Sequence, residues 1–158
     1  EPIVVVSQKT PMTANWCRAQ GIVIIRTGGK GYVDDMVQAV QDLVENRRII
    51  ISVSDIPCVT PGIITTIIRS YTDCRRDALS TWVPAHTVQA CRGSMPCCEQ
   101  IGGTDAFPAG VNILRGDLIA CRQDEYTLLL EEPRLALNVN TREDLARTEA
   151  FFLAAAAR

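Results

Sequence analysis

Apolar runs of strand length alternate with helical patterns through the first half of this chain. The pattern predicts strands at 3–7, 22–26, 48–58 and 77–83, with a helix between each pair. Near-continuous apolar strands are typical of strands covered on both faces, and a βαβ rhythm implies a parallel sheet. We therefore expect an α/β fold: a Rossmann-like, mostly parallel sheet with helices on both faces.

The second half of the chain has a weaker pattern. Short strands are predicted at 111–114 and 135–139, and residues 86–108 look irregular. A long irregular segment inside a compact domain is usually a binding loop or lid. Thr141 is predicted to cap a final helix, because Glu143 and Asp144 follow it in the first turn.

Composition limits the classes of protein that this chain can belong to. A length of 158 residues suggests one domain, and a net charge of −2 gives no electrostatic footprint for nucleic acid. No apolar run approaches the length of a membrane span and no signal peptide is recognisable, so we expect a cytoplasmic protein. The seven cysteines contain no C-x-x-C pair, which favours free thiols over a zinc site.

Asp55 is the polar residue that stands out. It follows the apolar run of the predicted strand at 48–58, and open α/β sheets bind ligands at the carboxyl ends of their strands. A carboxylate there could hold Mg²⁺ against the phosphates of a nucleotide, and Asn140 could complete the oxygen shell. The alternative is that Asp55 and Asn140 only cap the turns before the next helices.

A glycine-rich loop provides a second candidate site. The segment Thr27–Gly31 (TGGKG) would allow close backbone approach, and Lys30 could meet a phosphate. The loop lacks both the P-loop spacing and the G-x-G-x-x-G pattern, so an ordinary strand-to-helix turn remains open. Gly110, in the PAGVN segment, could let a second substrate approach.

Four blocks of the chain resemble a known family. They are TGGKGYVDD (27–35), IIISVSDIP (49–57), FPAGVNIL (107–114) and LALNVNTREDL (135–145). In order and spacing they resemble the archaeal GTP:adenosylcobinamide-phosphate guanylyltransferases, GT-A-like nucleotidyltransferases related to the molybdenum-cofactor guanylyltransferase. The segment VVVSQKTPMTANWCRAQGI (4–22) is similar to the SPNTPKT region of that family.

The resemblance implies transfer of GMP from GTP to adenosylcobinamide phosphate, which gives adenosylcobinamide-GDP and pyrophosphate in cobalamin biosynthesis. Asp55 would be the catalytic residue and would hold Mg²⁺ together with Asn140. Gly110 and Asn112 would lie on the acceptor side. The residues implied near the nucleotide, besides Asp55, are Ser7, Thr27, Gly29, Lys30, Gly31 and Tyr32.

The chain departs from the family in one respect. It contains neither the A-G-G-x-G-T-R-[ML]-G signature nor the E-K-P-L block that embrace the triphosphate. We expect 1–158 to be a single nucleotidyltransferase-like domain without one strand–loop–helix unit. We expect little transfer of GMP by this chain alone. We also expect the chain to form a homodimer through an open strand edge.

Two alternatives remain open at this stage. One is a non-catalytic module that binds a nucleotide or a corrinoid. The other is a nucleotidyltransferase for a different acceptor, either a molybdopterin or a sugar phosphate.

Overall fold

The computed structural model describes residues 2–90 and 98–156. The chain forms two compact units: the first comprises Glu1–Arg48 and Arg115–Arg122, and the second Ile49–Leu114 and Gln123–Arg158.

Strands and helices alternate in the predicted βαβαβαβ order up to residue 84, which confirms the α/β class. The strands are β1 (Ile3–Ser7), β2 (Val23–Thr27), β3 (Arg48–Ser52), β4 (Ala78–Pro84), β5 (Glu99–Ile101), β6 (Thr104–Arg115) and β7 (Glu125–Leu129). The helices are α1 (Pro11–Ala19), α2 (Tyr32–Asp42), α3 (Pro61–Cys74), α4 (Ala85–Ala90) and α5 (Arg142–Ala156).

The first unit is built on the parallel pair β1–β2. Ser7 lies opposite Thr27 at its carboxyl end. Helix α1 begins at Pro11, whose fixed φ suits a first helical position, and it turns Ala14 and Cys17 into the interior. The loops that follow β1 and β2 therefore emerge side by side.

The second unit contains a mixed sheet in the order β3-β6-β4-β7, with β5 paired to β6. Strands β4 and β7 are parallel, whereas β6 runs antiparallel to β4 and to β5. Helix α3 begins at Pro61, where the Thr60 hydroxyl accepts a hydrogen bond from the Ile63 N–H. The core of this unit includes Ile63, Ile67, Tyr71, Leu79, Val83, Val111, Ile113 and Leu135.

The predicted burial of two strands is wrong. Ile3 and Val5 of β1 are 41% and 45% exposed, and Ile50 of β3 is 43% exposed. Among the described strands, β1 and β3 each have a neighbour on one side only, so part of their apolar surface stays uncovered.

The second half differs from the prediction in three places. The strand predicted at 135–139 is wrong, because Glu132 caps a 3-10 turn at Pro133–Ala136. Strand β7 was missed. The segment predicted as irregular at 86–108 contains α4, β5 and the start of β6, while its residues 91–97 lie outside the described part of the chain.

The strand predicted at 111–114 is the end of the longer β6, which a two-residue Gly102–Gly103 turn joins to β5. None of the helices in the described ranges is both long enough and apolar enough to cross a membrane.

Candidate active site

The two loops of the first unit are joined at Gly29. The Lys9 Nζ donates to the Gly29 carbonyl at 2.6 Å, which links the loop after β1 to the loop after β2. Gly29 has a φ of +70°, and a Cβ added there would lie 3.3 Å from the Ser7 Cβ and Oγ. A glycine is therefore required where the two loops meet. The structure brings together Ser7 and Gly29, two of the residues predicted to bind the nucleotide.

The amides of the glycine-rich loop are bound by the helix that follows it. The Gly28 N–H donates to the Gln38 Oε1 at 3.0 Å, and the Gly29 and Lys30 N–H groups donate to the Asp35 Oδ1 at 2.8 and 3.3 Å. Desolvation raises the pKa of Asp35, but hydrogen bonds from the Gly29 and Lys30 amides and from the Thr27 side chain outweigh it, and the pKa is lowered overall. This role of Asp35 was not predicted, because an acid at a helix start is already typical of the helix dipole.

Thr27 and Tyr32 occupy different environments at the two ends of this loop. Thr27 is 8% exposed, and its hydroxyl donates to the Val6 carbonyl at 3.4 Å, so its side chain stabilises the β1–β2 pair. Tyr32 opens α2 after Gly31 and is 53% exposed. Of these residues, Tyr32 has the side chain that is accessible to a ligand.

Asp55 lies just after β3 in the second unit and has an unusual environment. Within the described residues, its Oδ1 is buried and has no hydrogen-bond partner. An unpaired buried acceptor costs about 1–3 kcal/mol. A bound cation or donor at this oxygen would remove that cost, whereas a simple turn cap would already have its partner.

A main-chain hydrogen bond ties Asp55 to the turn before α5. The Val139 N–H donates to the Asp55 carbonyl at 2.8 Å. In that turn the Asn140 Nδ2 donates to the Asn138 Oδ1 at 2.5 Å, so the Oδ1 of Asn140 is the atom of that side chain that could bind a cation. The structure thus joins the segments that carry the two predicted metal ligands.

Thr141 caps α5 as predicted. Its hydroxyl accepts from the Asp144 N–H at 3.1 Å, while the Asp144 Oδ2 accepts from the Thr141 N–H at 2.8 Å. The pKa of Asp144 is lowered, chiefly by the hydrogen bond with the Thr141 hydroxyl, although desolvation acts in the opposite direction. This reciprocal pair fixes the end of the turn that holds Asn140.

Gly110 and Asn112 lie on β6. The Gly110 carbonyl accepts from the Val53 N–H at 2.9 Å, and a Cβ on Gly110 would overlap the Val53 Cγ2. The Asn112 Oδ1 accepts from the Thr81 N–H at 3.4 Å, where β4 bulges between Ser80 and Trp82. The structure therefore brings Gly110 against the segment that carries Asp55, whereas Asn112 bonds to the sheet.

The donor set fits magnesium that shares its ligands with a substrate. Among the described residues, no group of three or more His, Cys, Asp or Glu side chains could hold a metal ion. Mg²⁺ commonly takes one or two carboxylates and completes its shell with substrate phosphates and water. Asp55 with Asn140 fits that second type of site.

Known structures share this fold, although no protein-family model and no curated protein matches the chain. CMP:2-keto-3-deoxy-manno-octonic acid synthetase complexed with CTP superposes with a TM-score of 0.66 at 12% identity, over 97% of this chain and 81% of that one. The 4-diphosphocytidyl-2C-methyl-D-erythritol synthase gives 0.63 at 14%, over 92% and 78%. Molybdopterin-guanine dinucleotide biosynthesis protein A from Archaeoglobus fulgidus gives 0.59 at 13%, over 95% and 78%. The chain shares the α/β fold of these solved structures, which is the fold class that the sequence predicts.

Proposed function

We propose that this protein is a GT-A-like guanylyltransferase that transfers GMP from GTP to adenosylcobinamide phosphate. The observation that carries the proposal is the buried Asp55 Oδ1 after β3, which has no hydrogen-bond partner in the part of the chain that the structure describes. The Asp55 main chain is also joined through Val139 to the turn of Asn140. The nucleotidyltransferase fold supports the reaction class, and the four sequence blocks support the choice of nucleotide and acceptor.

The chemistry requires positioning and charge neutralisation. An oxygen of the acceptor phosphate forms a bond to the α-phosphorus of GTP, while the bond from that phosphorus to the β-phosphate oxygen breaks and pyrophosphate leaves with the electron pair. The acceptor is already an anion, so the protein supplies no nucleophile. Magnesium held by Asp55 and Asn140 would neutralise charge at the α-phosphate.

The remaining residues bind and orient the two substrates in this proposal. Ser7 and the loop at 27–32 lie together at the carboxyl ends of β1 and β2, where we place the nucleotide. Gly110 belongs to the acceptor side in this proposal, which the PAGVN block supports, and its lack of a Cβ lets the Val53 side chain pack against it.

A molybdopterin acceptor is the second candidate. Its support is the structural match to the Archaeoglobus molybdopterin-guanine dinucleotide biosynthesis protein over 95% of this chain. Products formed from adenosylcobinamide phosphate, a molybdopterin and a sugar phosphate would distinguish the acceptors. GTP binding without any transfer, both by this chain and by one extended through the codons upstream of Glu1, would instead identify a non-catalytic binding module.

The test combines binding with turnover. Calorimetry of GTP binding with and without Mg²⁺ is carried out on this chain and on one extended through the codons upstream of Glu1. We expect Mg²⁺ to tighten GTP binding, Asp55→Asn to remove that effect, and the exposed control Asp73→Asn to preserve it. Formation of adenosylcobinamide-GDP by the extended chain supports the proposal; equal Mg²⁺ dependence in Asp55→Asn and the wild type contradicts it.

A further inference from the structure

Lysine is rare in this chain, and both lysines lie at the same place. Of the 16 basic residues, 14 are arginines and only Lys9 and Lys30 are lysines. Lys9 bonds to the Gly29 carbonyl, and a Cβ on Gly28 would lie 3.7 Å from the Lys30 Cγ. Two loops that are about 20 residues apart in sequence therefore place both lysines around the same pair of glycines.

The main chain of this loop does not offer the usual phosphate site. Glycine-rich loops bind phosphate when successive N–H groups point toward the ligand. Here the N–H groups of Gly28, Gly29 and Lys30 all donate to side chains of α2. A phosphate at this loop would have to be bound by side chains.

We propose that Lys9 and Lys30 bind the phosphates of the nucleoside triphosphate through their ammonium groups, and that Asp35 is the positioning residue that holds the loop for them. The inference rests on the proposed function for the identity of the nucleotide. Lysine suits this role because its ammonium is a compact point charge with three rotatable donors, one of which Lys9 directs at Gly29. Asp35 acts through Gly29 and Lys30, because its carboxylate accepts hydrogen bonds from the amides of both residues.

The test of the two lysines distinguishes binding to the phosphates of GTP from binding to its base. Binding of GTP, guanosine and inorganic triphosphate is measured by calorimetry for the wild type, Lys9→Met, Lys30→Met and the control Arg18→Met, which removes an exposed charge from α1 of the same unit. We expect each lysine variant to weaken GTP and triphosphate about tenfold, the loss of one charge-assisted hydrogen bond, and to leave guanosine unchanged. Arg18→Met should change none of the three.

Each other outcome overturns a defined part of the proposal. Equal weakening of guanosine would place the lysines on the base, and unchanged GTP affinity in Lys9→Met would remove Lys9 from the site. If the wild type binds triphosphate but does not distinguish GTP from other nucleotides, the guanylyltransferase proposal fails while the lysine site stands. If it binds neither GTP nor triphosphate, both fail.

The Asp35 test uses a conservative rescue. Asp35→Ala removes the acceptor of the loop amides, whereas Asp35→Asn keeps an oxygen in the same place. We expect Asp35→Ala to weaken triphosphate binding about tenfold and to be non-additive with Lys9→Met in a double-mutant cycle, with Asp35→Asn close to the wild type. A lower melting temperature with unchanged affinity in Asp35→Ala would show a purely structural role and would overturn this assignment.

Discussion

The Val139 N–H donates to the Asp55 carbonyl at 2.8 Å, and this single main-chain bond joins segments that are 84 positions apart in sequence. It brings the end of β3 to the turn of Asn140, which α5 fixes on its other side through the Thr141–Asp144 pair. The position of a candidate metal ligand is thus set by main-chain bonds, leaving the Asp55 side chain for the site.

We predict that Gly110→Ala destabilises the protein by about 3 kcal/mol. A side chain at this position meets the Val53 Cγ2, and the φ of +75° disfavours any residue with a Cβ. Chemical denaturation measures the loss.

Gly102→Ala is the matched control for that change. Its φ of +57° is also left-handed, but a Cβ there has nothing within 4 Å, so only the backbone cost of about 1 kcal/mol is expected. Equal losses for the two variants would show that contact with Val53 is unimportant.

Local patterns explain how much of the fold could be predicted. Thr60-Pro61 marks the start of α3 in the sequence, and the apolar runs of β1 and β2 mark strands, because these signals depend on neighbouring residues. The burial of β1 could not be predicted in this way, since exposure of Val5 depends on which strands lie beside it. The LALNV segment (135–139) has a strand-like composition, yet Leu135 and Ala136 end a 3-10 turn and the segment forms no strand.

In the candidate site, too, some features could be predicted from the sequence and others could not. The carboxyl-end rule predicts the place of Asp55 just after β3, whereas the Asn140 turn follows a 3-10 turn and not a strand, and it reaches Asp55 through the Val139 N–H. The roles of Lys9 and Asp35 depend on loop geometry, which no spacing in the sequence specifies.

Val44→Gly should stabilise the protein by about 1 kcal/mol. Val44 follows α2 with a φ of +51°, which is strained for a β-branched side chain, and it is 76% exposed, so little packing is lost. The opposite sign is expected for Val33→Gly, an exposed valine in the first turn of α2, because glycine is a weaker helix former than valine by about 0.5 kcal/mol. Urea unfolding measures both, and destabilisation by Val44→Gly would contradict the strain argument.

Stability should fall as pH decreases from 4.5 to 2, in part through Glu45. The Arg47 guanidinium bonds to both Glu45 carboxylate oxygens at 2.9 and 2.6 Å, and this lowers the pKa of Glu45 from 4.5 to about 2. Because the folded pKa lies below the unfolded value, the contribution is complete above pH 4.5 and is lost as pH falls through 2.

Glu45→Gln and Arg47→Met should each flatten the stability curve in that range. Both variants remove the same pair, so unfolding in urea between pH 2 and 6 should give similar slopes for the two. A slope as steep as that of the wild type in both variants would assign the acid sensitivity to other carboxylates.

Asp55→Asn should stabilise the ligand-free protein while removing its response to magnesium and GTP. The buried Oδ1 has no partner among the described residues, so replacing the charged group lowers the cost of burial, by about 1 kcal/mol. Ligand binding stabilises a folded protein by an amount that grows with the logarithm of the free ligand concentration relative to Kd. Thermal unfolding should therefore show a higher melting temperature for Asp55→Asn without ligand and a smaller increase when Mg²⁺ and GTP are added. A lower melting temperature without ligand would show that the Asp55 side chain contributes to the fold, and it would leave the metal-site assignment without its main support.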